Sequence, residues 1–286
     1  MNHFLTQVLR GDTVWGVGIY DALSAKLAEW AGFGAVMTGG FGVTASLLGL
    51  PDLELLSMAE NVATVRRVAA AVSIPVVADI DTGYGNTINV ARVMRELKTA
   101  GAQAVIMEDQ ISPKRCAACV DETQLIGLDE AVAKIRAAVE VSDGAIAVIA
   151  RTDAFDPAEA FVRARAYAEA GAHLIQPVSK TFSRLEDLIE LRRRSGCPLS
   201  IQILGWLEQL EPTEVAQVAG LATFSLVPLM TATSALMRNL SALRANLKCS
   251  GLPCERMGME AFKNFIGFDA MIREHQRYAA YPPSLE

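Results

Sequence analysis

The sequence predicts an α/β fold: a (β/α)8 (TIM) barrel with extra C-terminal helices, in which residues 1–286 form a single barrel domain with a helical tail over about 231–286. Three observations carry this expectation. Short apolar, β-branched runs alternate with longer stretches of helical period, the pattern of repeated βα units around a parallel sheet. The segments Ala31-Gly32-Phe33-Gly34-Ala35, Ala100-Gly101-Ala102-Gln103-Ala104 and Ala170-Gly171-Ala172-His173-Leu174 recur at intervals of 69 and 70 residues, which is two βα units each time. No Ser/Gly/Pro-rich linker interrupts residues 1–235, and barrels of this kind commonly occupy about 250 residues.

The elements follow in order. Thr13–Tyr20 is the first strand, and Ala22–Ala31 has helical period and ends at Gly32. Ala35–Gly39 is the second strand, followed by a helix over Met58–Val72. Pro75–Asp81 and Ala104–Asp109 are strands on either side of the helix Thr87–Ala100, which Gly101 closes through the left-handed conformation that glycine tolerates. The helix Asp129–Val141 leads to the strand Ile146–Asp153, and Pro157–Ala170 leads to Leu174–Pro177. Arg184–Ser195 then precedes the strand Pro198–Leu204, and Thr213–Ala219 precedes an eighth strand at Phe224–Leu229. Thr231–Asn246 and Met259–Tyr278 read as helices joined by a Gly/Pro/Cys turn, a tail of the kind that packs on a neighbouring subunit or over a barrel.

Composition excludes several classes of function. With 51% apolar and 20% charged residues, the chain has the mass for a large core and is not disordered. Its net charge of −6 and 6% aromatic content give no electrostatic footprint for nucleic acid. Its apolar runs are broken well short of the roughly 18 residues of a spanning helix, so no membrane partner is expected. Five cysteines, an odd number, and no charged-then-apolar leader point to free thiols and a cytoplasmic location.

Polar residues collect at the C-terminal ends of the expected strands, where barrels keep their active sites. Asp79 and Asp81 end the third, Glu108 and Asp109 the fourth, and Arg151 and Asp153 the fifth. In a strand of period two, Asp79 and Asp81 share one face and repel unless a cation or proton lies between them. Hard oxygen donors without convergent His or Cys suit Mg²⁺; the alternative is that these carboxylates cap turns and helices. Thr38-Gly39-Gly40 either binds a carboxylate through amides and hydroxyl or is a turn that needs glycine. Arg151 either grips a carboxylate with its planar fork or pairs with Asp153.

The segment Gln110–Gly127 is longer than an ordinary βα loop and reads as a lid carrying Cys116. Lys114 and Arg115 beside it are expected to favour the thiolate, giving a thiol able to exchange a proton near neutral pH. Cys116 and Cys119 lack the second pair that a zinc site needs, and His3, His173 and His275 are scattered too widely for a Ser-His-Asp arrangement.

Taken together, Tyr20-Asp21-Ala22-Leu23-Ser24-Ala25, Thr38-Gly39-Gly40, Gly49-Leu50-Pro51-Asp52-Leu53, Asp79-Ile80-Asp81-Thr82-Gly83-Tyr84-Gly85-Asn86, Glu108-Asp109-Gln110, Pro113-Lys114-Arg115-Cys116 and Ala150-Arg151-Thr152-Asp153-Ala154 resemble the isocitrate lyase/phosphoenolpyruvate mutase superfamily, within it the methylisocitrate lyase/carboxyphosphonoenolpyruvate mutase branch, over about residues 10–235. The resemblance implies a homotetramer, a dimer of dimers with an end helix exchanged between subunits, binding Mg²⁺ (Mn²⁺ as an alternative) and a small carboxylic acid. By the same resemblance Asp79 touches the metal directly while Asp52, Asp81 and Glu108 act through water. Thr38, Gly39, Gly40 and Arg151 hold the carboxylate of the 2-oxo acid part, Gln202 lines the same pocket, and Cys116 is the general acid.

The second half departs from the lyase pattern. Val178 stands where tricarboxylate lyases carry glutamate, Gln202-Ile203-Leu204-Gly205 where they carry Asn-x-Thr-Glu, and Thr233 where they carry arginine, while the loop continues Ala117-Ala118 rather than Gly-His. A site without those polar groups cannot satisfy extra carboxylates. The expected function is therefore a Mg²⁺-dependent carbon–carbon lyase acting on a small 2-hydroxy or 2-oxo diacid of the substituted-malate type, through a metal-stabilised enolate that Cys116 protonates. The alternatives are a 2-oxo acid decarboxylase or hydrolase, a phosphonomutase, or a barrel that has lost catalysis and only binds.

Overall fold

The computed structural model describes residues 3–279, and these divide into two compact units, one up to residue 230 and one from residue 231. In the first, eight parallel strands close on themselves in chain order: β1 Val14–Ile19, β2 Ala35–Thr38, β3 Val76–Asp79, β4 Ala104–Met107, β5 Ala147–Thr152, β6 Leu174–Pro177, β7 Leu199–Gln202 and β8 Ala219–Phe224, with β8 pairing back to β1. The strands are buried on both faces, as a parallel sheet covered by helices demands. Ala35, Met37, Val77, Ala104, Ile106, Ala147, Ile149, Leu174 and Leu221 fill the interior.

The helices between strands are α2 Ala22–Trp30, α3 Gly40–Leu48, α4 Met58–Ala71, α5 Thr87–Ala100, α6 Leu128–Ser142, α7 Pro157–Glu169, α8 Leu185–Ser195 and α9 Pro212–Val215, and α1 His3–Leu9 precedes them. Their starts are chemically specified. Asp21, Ser57 and Asn86 accept backbone N–H bonds in capping boxes that open α2, α4 and α5. Asp156 caps α7 ahead of Pro157, whose missing N–H costs nothing in a first turn. Val, Leu, Ile and Ala side chains from these helices and the outer strand faces form one continuous layer. His173 is structural, its Nδ1 accepting the Val148 N–H at 3.0 Å, and burial lowers its pKa.

Four boundaries differ from expectation. The eighth strand is Ala219–Phe224 rather than Phe224–Leu229, and the helix before it shrinks to Pro212–Val215. Gly220 is not a helix terminator: a Cβ there would lie 2.8 Å from Val8 Cγ1 and 3.0 Å from Pro198 Cβ, so glycine lets α1 press against the strand. The helix α1 itself, with Phe4 fully buried against the interior cluster, has too few residues to stand out by periodicity. The helix α3 is hidden in a Gly/Leu-rich stretch.

The second unit holds most of α10, Val227–Asn246, with α11 Met259–Ile266 and α12 Phe268–Ala279. The expected Met259–Tyr278 helix is thus two helices, broken where Gly267 takes a φ of +91° and caps α11. Residues 280–286 of the expected tail lie outside the described residues. None of the described helices is long and apolar enough to cross a membrane.

One close approach shapes the mouth of the barrel. A Cβ on Gly18 of β1 would fall 2.7 Å from the Ser225 carbonyl carbon and closer still to its oxygen, so this position admits no side chain. Gly18→Ala is therefore expected to destabilise the protein by about 1–3 kcal/mol or more through overpacking, read as a lower denaturation midpoint in urea; an unchanged midpoint would show that the β8–α10 turn is free to move aside.

Candidate active site

A cleft at the C-terminal mouth of the barrel encloses about 820 Å³ of space, part of it open to solvent. Asp79, Glu108 and Arg151 sit at strand ends while Asp52 lies between α3 and α4, and the route by which the carboxylates converge differs from simple alternation. Strand β3 stops at Asp79, and Asp81 has already left it in the left-handed conformation, with φ of +50°. A non-glycine residue there carries strain of order 1 kcal/mol or more, which the surroundings must offset. They do so with hydrogen bonds: the Asp81 N–H donates to Asp79 Oδ1 at 3.1 Å, and the Asp81 carbonyl accepts the Glu108 N–H at 2.9 Å. The Asn61 amide donates to the Asp79 carbonyl at 2.7 Å and to the Tyr84 hydroxyl at 2.6 Å, holding the turn from behind.

Asp52, Asp79, Asp81 and Glu108 are all buried. The cation among them comes from the chain itself. Lys114 reaches in from the long loop and places Nζ 2.7 Å from Asp81 Oδ1, 3.1 Å from Asp52 Oδ2 and 3.8 Å from Glu108 Oε1, at 3% exposure of its side chain. Burial pulls the Lys114 pKa down, but Glu108, Asp81, Asp79 and Asp52 outweigh it and hold the ammonium well above its ordinary value. Burial raises Asp81 to about 6 against the opposing pull of Lys114, and raises Glu108 well above the carboxylate range against Arg151 and Lys114. The lysine was expected to act on the neighbouring thiol; it instead neutralises the carboxylates.

Among the described residues no group of three or more His, Cys, Asp or Glu side chains stands ready to hold a metal ion. The donor set nevertheless fits a hard divalent cation. Oxygens from three separate segments already face one positive charge, and Asp81 Oδ1 and Glu108 Oε2 are buried with no hydrogen-bond donor, satisfied by ion pairs alone. Glycine at position 40 keeps the cradle open, since a Cβ there would lie 3.1 Å from Asp81 Oδ1 and 3.2 Å from Asp52 Oδ1.

Arg151 takes up the alternative raised for it, pairing with Asp153. Its Nε and Nη2 grip Asp153 at 2.6 and 3.0 Å, and its Nη1 meets Glu108 Oε2 at 3.0 Å. One N–H on each terminal nitrogen is left over, and the residue lines the cleft. Asp109 turns the other way, accepting from Tyr167 at 2.6 Å and from the Asp153 N–H at 2.9 Å, and so props the arginine's partner rather than joining the carboxylate cluster.

Two expected substrate ligands have other partners. The Thr38 hydroxyl, 1% exposed, faces the Val77 carbonyl at 3.5 Å and does not line the cleft. The Gly40 N–H donates to Asp79 Oδ2 at 3.3 Å, so it fixes a carboxylate of the protein rather than one of a ligand. Gly39 and Gln202 do line the cleft. Thr233 falls in the second unit.

The long loop is pinned at its base by an antiparallel bridge between Gln110 and Leu125. Its tip is clasped by side chains: Gln110 Oε1 accepts the Arg115 N–H at 3.0 Å, Gln110 Nε2 donates to the Arg115 carbonyl at 2.8 Å, and Glu54 Oε2 accepts the Lys114 N–H at 2.7 Å. Gln110 Nε2 also donates to Asp153, joining the loop to the arginine's support. Cys116 lines the cleft. Burial and the neighbouring Cys119 push its thiol up to about 11, the opposite of the expected thiolate. The reason is geometric: the Lys114 ammonium, spent on carboxylates, gives the sulfur no cation.

Sequence reasoning missed Gln176, whose Oε1 accepts the Ser200 hydroxyl at 2.7 Å and which lines the cleft, and it missed Glu54, which holds the loop tip. A polar residue in the buried run Leu174-Ile175-Gln176-Pro177 was the available signal. After β6, β7 and β8, Val178, Leu204, Leu226 and Leu229 line the cleft, interspersed with Gln176, Ser179, Gln202 and Ser225.

The same architecture recurs in known proteins. Residues 8–245 match the family model of phosphoenolpyruvate phosphomutase. The chain is 32% identical over 272 residues to 2,3-dimethylmalate lyase of Eubacterium barkeri, covering 92% of each chain. It is likewise 32% identical over 272 residues to oxaloacetate decarboxylase of Bradyrhizobium sp. strain BTAi1, covering 91% of each. Phosphonopyruvate hydrolase, solved in complex with oxalate and Mg²⁺, superposes with a TM-score of 0.86 at 29% identity, over 96% of this chain and 97% of that one. With the family model spanning most of its length, the chain belongs to the phosphoenolpyruvate mutase/isocitrate lyase superfamily of enzymes.

Proposed function

We propose that this chain is a Mg²⁺-dependent carbon–carbon lyase for a small, alkyl-substituted 2-hydroxy diacid. The single observation that carries the reading is the make-up of the cleft: Asp52, Asp79, Lys114 and Arg151 supply its charge, Val178, Leu204, Leu226 and Leu229 after β6, β7 and β8 supply hydrocarbon and no cation, and a protonated thiol, Cys116, stands at the lid. Asp52, Asp79, Asp81 and Glu108 would hold Mg²⁺. When bound, that ion supplies Lewis-acid stabilisation to negative charge developing on substrate oxygens. Arg151, oriented by Asp153, offers its two remaining N–H groups to a carboxylate, while Val178, Leu204 and Leu229 accept alkyl substituents and supply no cation to a further carboxylate.

In the cleavage, the bond between C2 and C3 breaks and its electron pair stays with C3. The C2 hydroxyl loses its proton and becomes a 2-oxo group, while Cys116 hands its proton to C3. A thiol held up to about 11 keeps that proton at neutral pH, which is what a general acid needs. Asp52 and Asp79 line the cleft and are available to take the hydroxyl proton.

A second reading, decarboxylation of a 2-oxo diacid, draws support from Val178 and Leu204, which leave no base on the apolar side; loss of CO₂ needs none. A homotetramer remains a proposal as well: α10, α11 and α12 bury no residue, and Leu236, Met237 and Leu240 are 59–65% exposed, a face suited to another copy of the chain.

Three outcomes are expected. With Mg²⁺, 2-alkylmalates including 2,3-dimethylmalate release a 2-oxo acid whereas 2-methylisocitrate does not; CO₂ from oxaloacetate alone would establish the decarboxylase, and no turnover of any of these would leave a binding protein. Asp79→Ala lowers kcat/KM by about a thousandfold or more and Cys116→Ser by about a hundredfold or more; near-wild-type rates would remove those residues from the chemistry. Alkylation of Cys116 by iodoacetamide, followed by mass spectrometry, rises tenfold per pH unit toward a midpoint of about 11, because only the thiolate reacts; a midpoint near 7 would restore the thiolate picture.

A further inference from the structure

We propose that Gln176 is the specificity-determining donor for the second carboxylate of the diacid: its amide N–H groups, aimed by Ser200, take the carboxylate that Arg151 does not hold. This deepens the diacid reading given above and rests on it. It begins from a polar pair in a place where packing alone calls for hydrocarbon. Gln176 at the end of β6 and Ser200 on β7 are each 1% exposed, beside Leu174, Ile175 and Leu199, which are fully buried. A buried amide costs free energy unless its polar atoms find partners. Only half of this one does so within the chain. Its Oε1 accepts the Ser200 hydroxyl at 2.7 Å, whereas no described residue accepts from Nε2, which is not sealed in the core, since Gln176 lines the cleft. With the carbonyl oxygen held by the hydroxyl, the two N–H groups are left for a ligand.

The place of the amide decides what it takes. Arg151 and Gln176 are register partners on β5 and β6, so their side chains leave the sheet on the same face. They then part: Glu108 and Asp153 hold the guanidinium toward β4 and β5, while Ser200 holds the amide toward β7. Donors on adjoining strands that lean apart suit two anionic groups of one short ligand better than a single group.

The rest of that side of the cleft offers no rival. From β6 onward it is lined by no cation, and its polar side chains besides Gln176 are Ser179, Gln202 and Ser225. Of these four, Gln176 alone is both buried and clamped by another side chain, so it gives up the least freedom when it binds. The consequence is a count of carboxylates. One goes to the guanidinium and one to the amide, and a third meets only groups that no other side chain fixes. A monoacid, in turn, leaves the buried amide unpaired and is disfavoured for that reason.

Calorimetric titration of the full-length protein in Mg²⁺ tests this with two probes: oxalate, and 2,3-dimethylsuccinate, a diacid that lacks the C2 hydroxyl and so cannot be cleaved. The wild type is expected to bind both. Gln176→Leu, close in volume but without donors, is expected to bind 2,3-dimethylsuccinate about tenfold or more weakly, the loss of a hydrogen bond to a charged group. Gln176→Glu is expected to be weaker still, through like charge. Ser200→Ala, which frees the amide to turn, is expected to weaken the diacid by about threefold. All three variants are expected to bind oxalate within about twofold of the wild type, as a separate part of the site should, and that binding also shows that they fold. Equal affinity of Gln176→Leu and the wild type for 2,3-dimethylsuccinate, an equal loss of both probes, or a wild type that binds oxalate and not the diacid would overturn the proposal, and an unchanged Ser200→Ala would remove the serine from it. Failure of the lyase reading shows separately: the wild type would release no 2-oxo acid from 2-alkylmalates, while a loss of the diacid confined to the Gln176 and Ser200 variants would still place the second carboxylate on the amide. Binding of neither probe by the wild type would overturn both.

Discussion

A cluster of buried carboxylates that must have a cation is the constraint on which the rest of this structure depends. Asp52, Asp79, Asp81 and Glu108 are brought together by three different βα segments at the top of one barrel. Removing one partner of a buried ion pair commonly costs about 3–5 kcal/mol because the other charge is left without compensation. The barrel accepts such a liability only in return for chemistry, and much of its local structure serves to hold it: the left-handed Asp81, the Gly40 amide on Asp79, and the Lys114 ammonium between them.

The surrounding architecture divides labour by chemistry. Polar groups at the ends of β3, β4 and β5 bear charge, and Asp153, propped by Asp109, fixes the arginine fork that faces the cleft. The ends of β6, β7 and the turn after β8 supply Val178, Leu204, Leu226 and Leu229 and uncharged polar groups instead. A ligand that suits both carries its charge at one end and hydrocarbon at the other, which is the ground for proposing a substituted malate in preference to a tricarboxylate.

Much of this was legible in the sequence, for identifiable reasons. Seven of the eight strands lie where β-branched runs place them, since a strand buried on both faces has to be apolar along its length, and the 69- and 70-residue spacing fixed closure into one ring. Asp79, Glu108 and Arg151 were readable because a charge at the end of such a run has no structural excuse. What escaped is tertiary. The close approach of Gly220 to Val8 and Pro198, inside the eighth strand, leaves no local signature. The Lys114 side chain is one of several surface-type residues in a long loop, and nothing in Pro113-Lys114-Arg115-Cys116 says that it enters a carboxylate cluster while Arg115 stays outside. That single placement reversed the expectation for Cys116, whose ionisation follows the position of a cation and not its proximity in sequence.

The account stands most directly on whether the cluster and the arginine make one site for a metal ion and a small diacid together. Calorimetric titration with oxalate measures this in a single experiment. The account predicts that oxalate binds in the presence of Mg²⁺, fails to bind when Mg²⁺ is chelated, and fails in Asp79→Ala whether or not Mg²⁺ is present; binding of equal strength with and without Mg²⁺, or none in either condition, would contradict it.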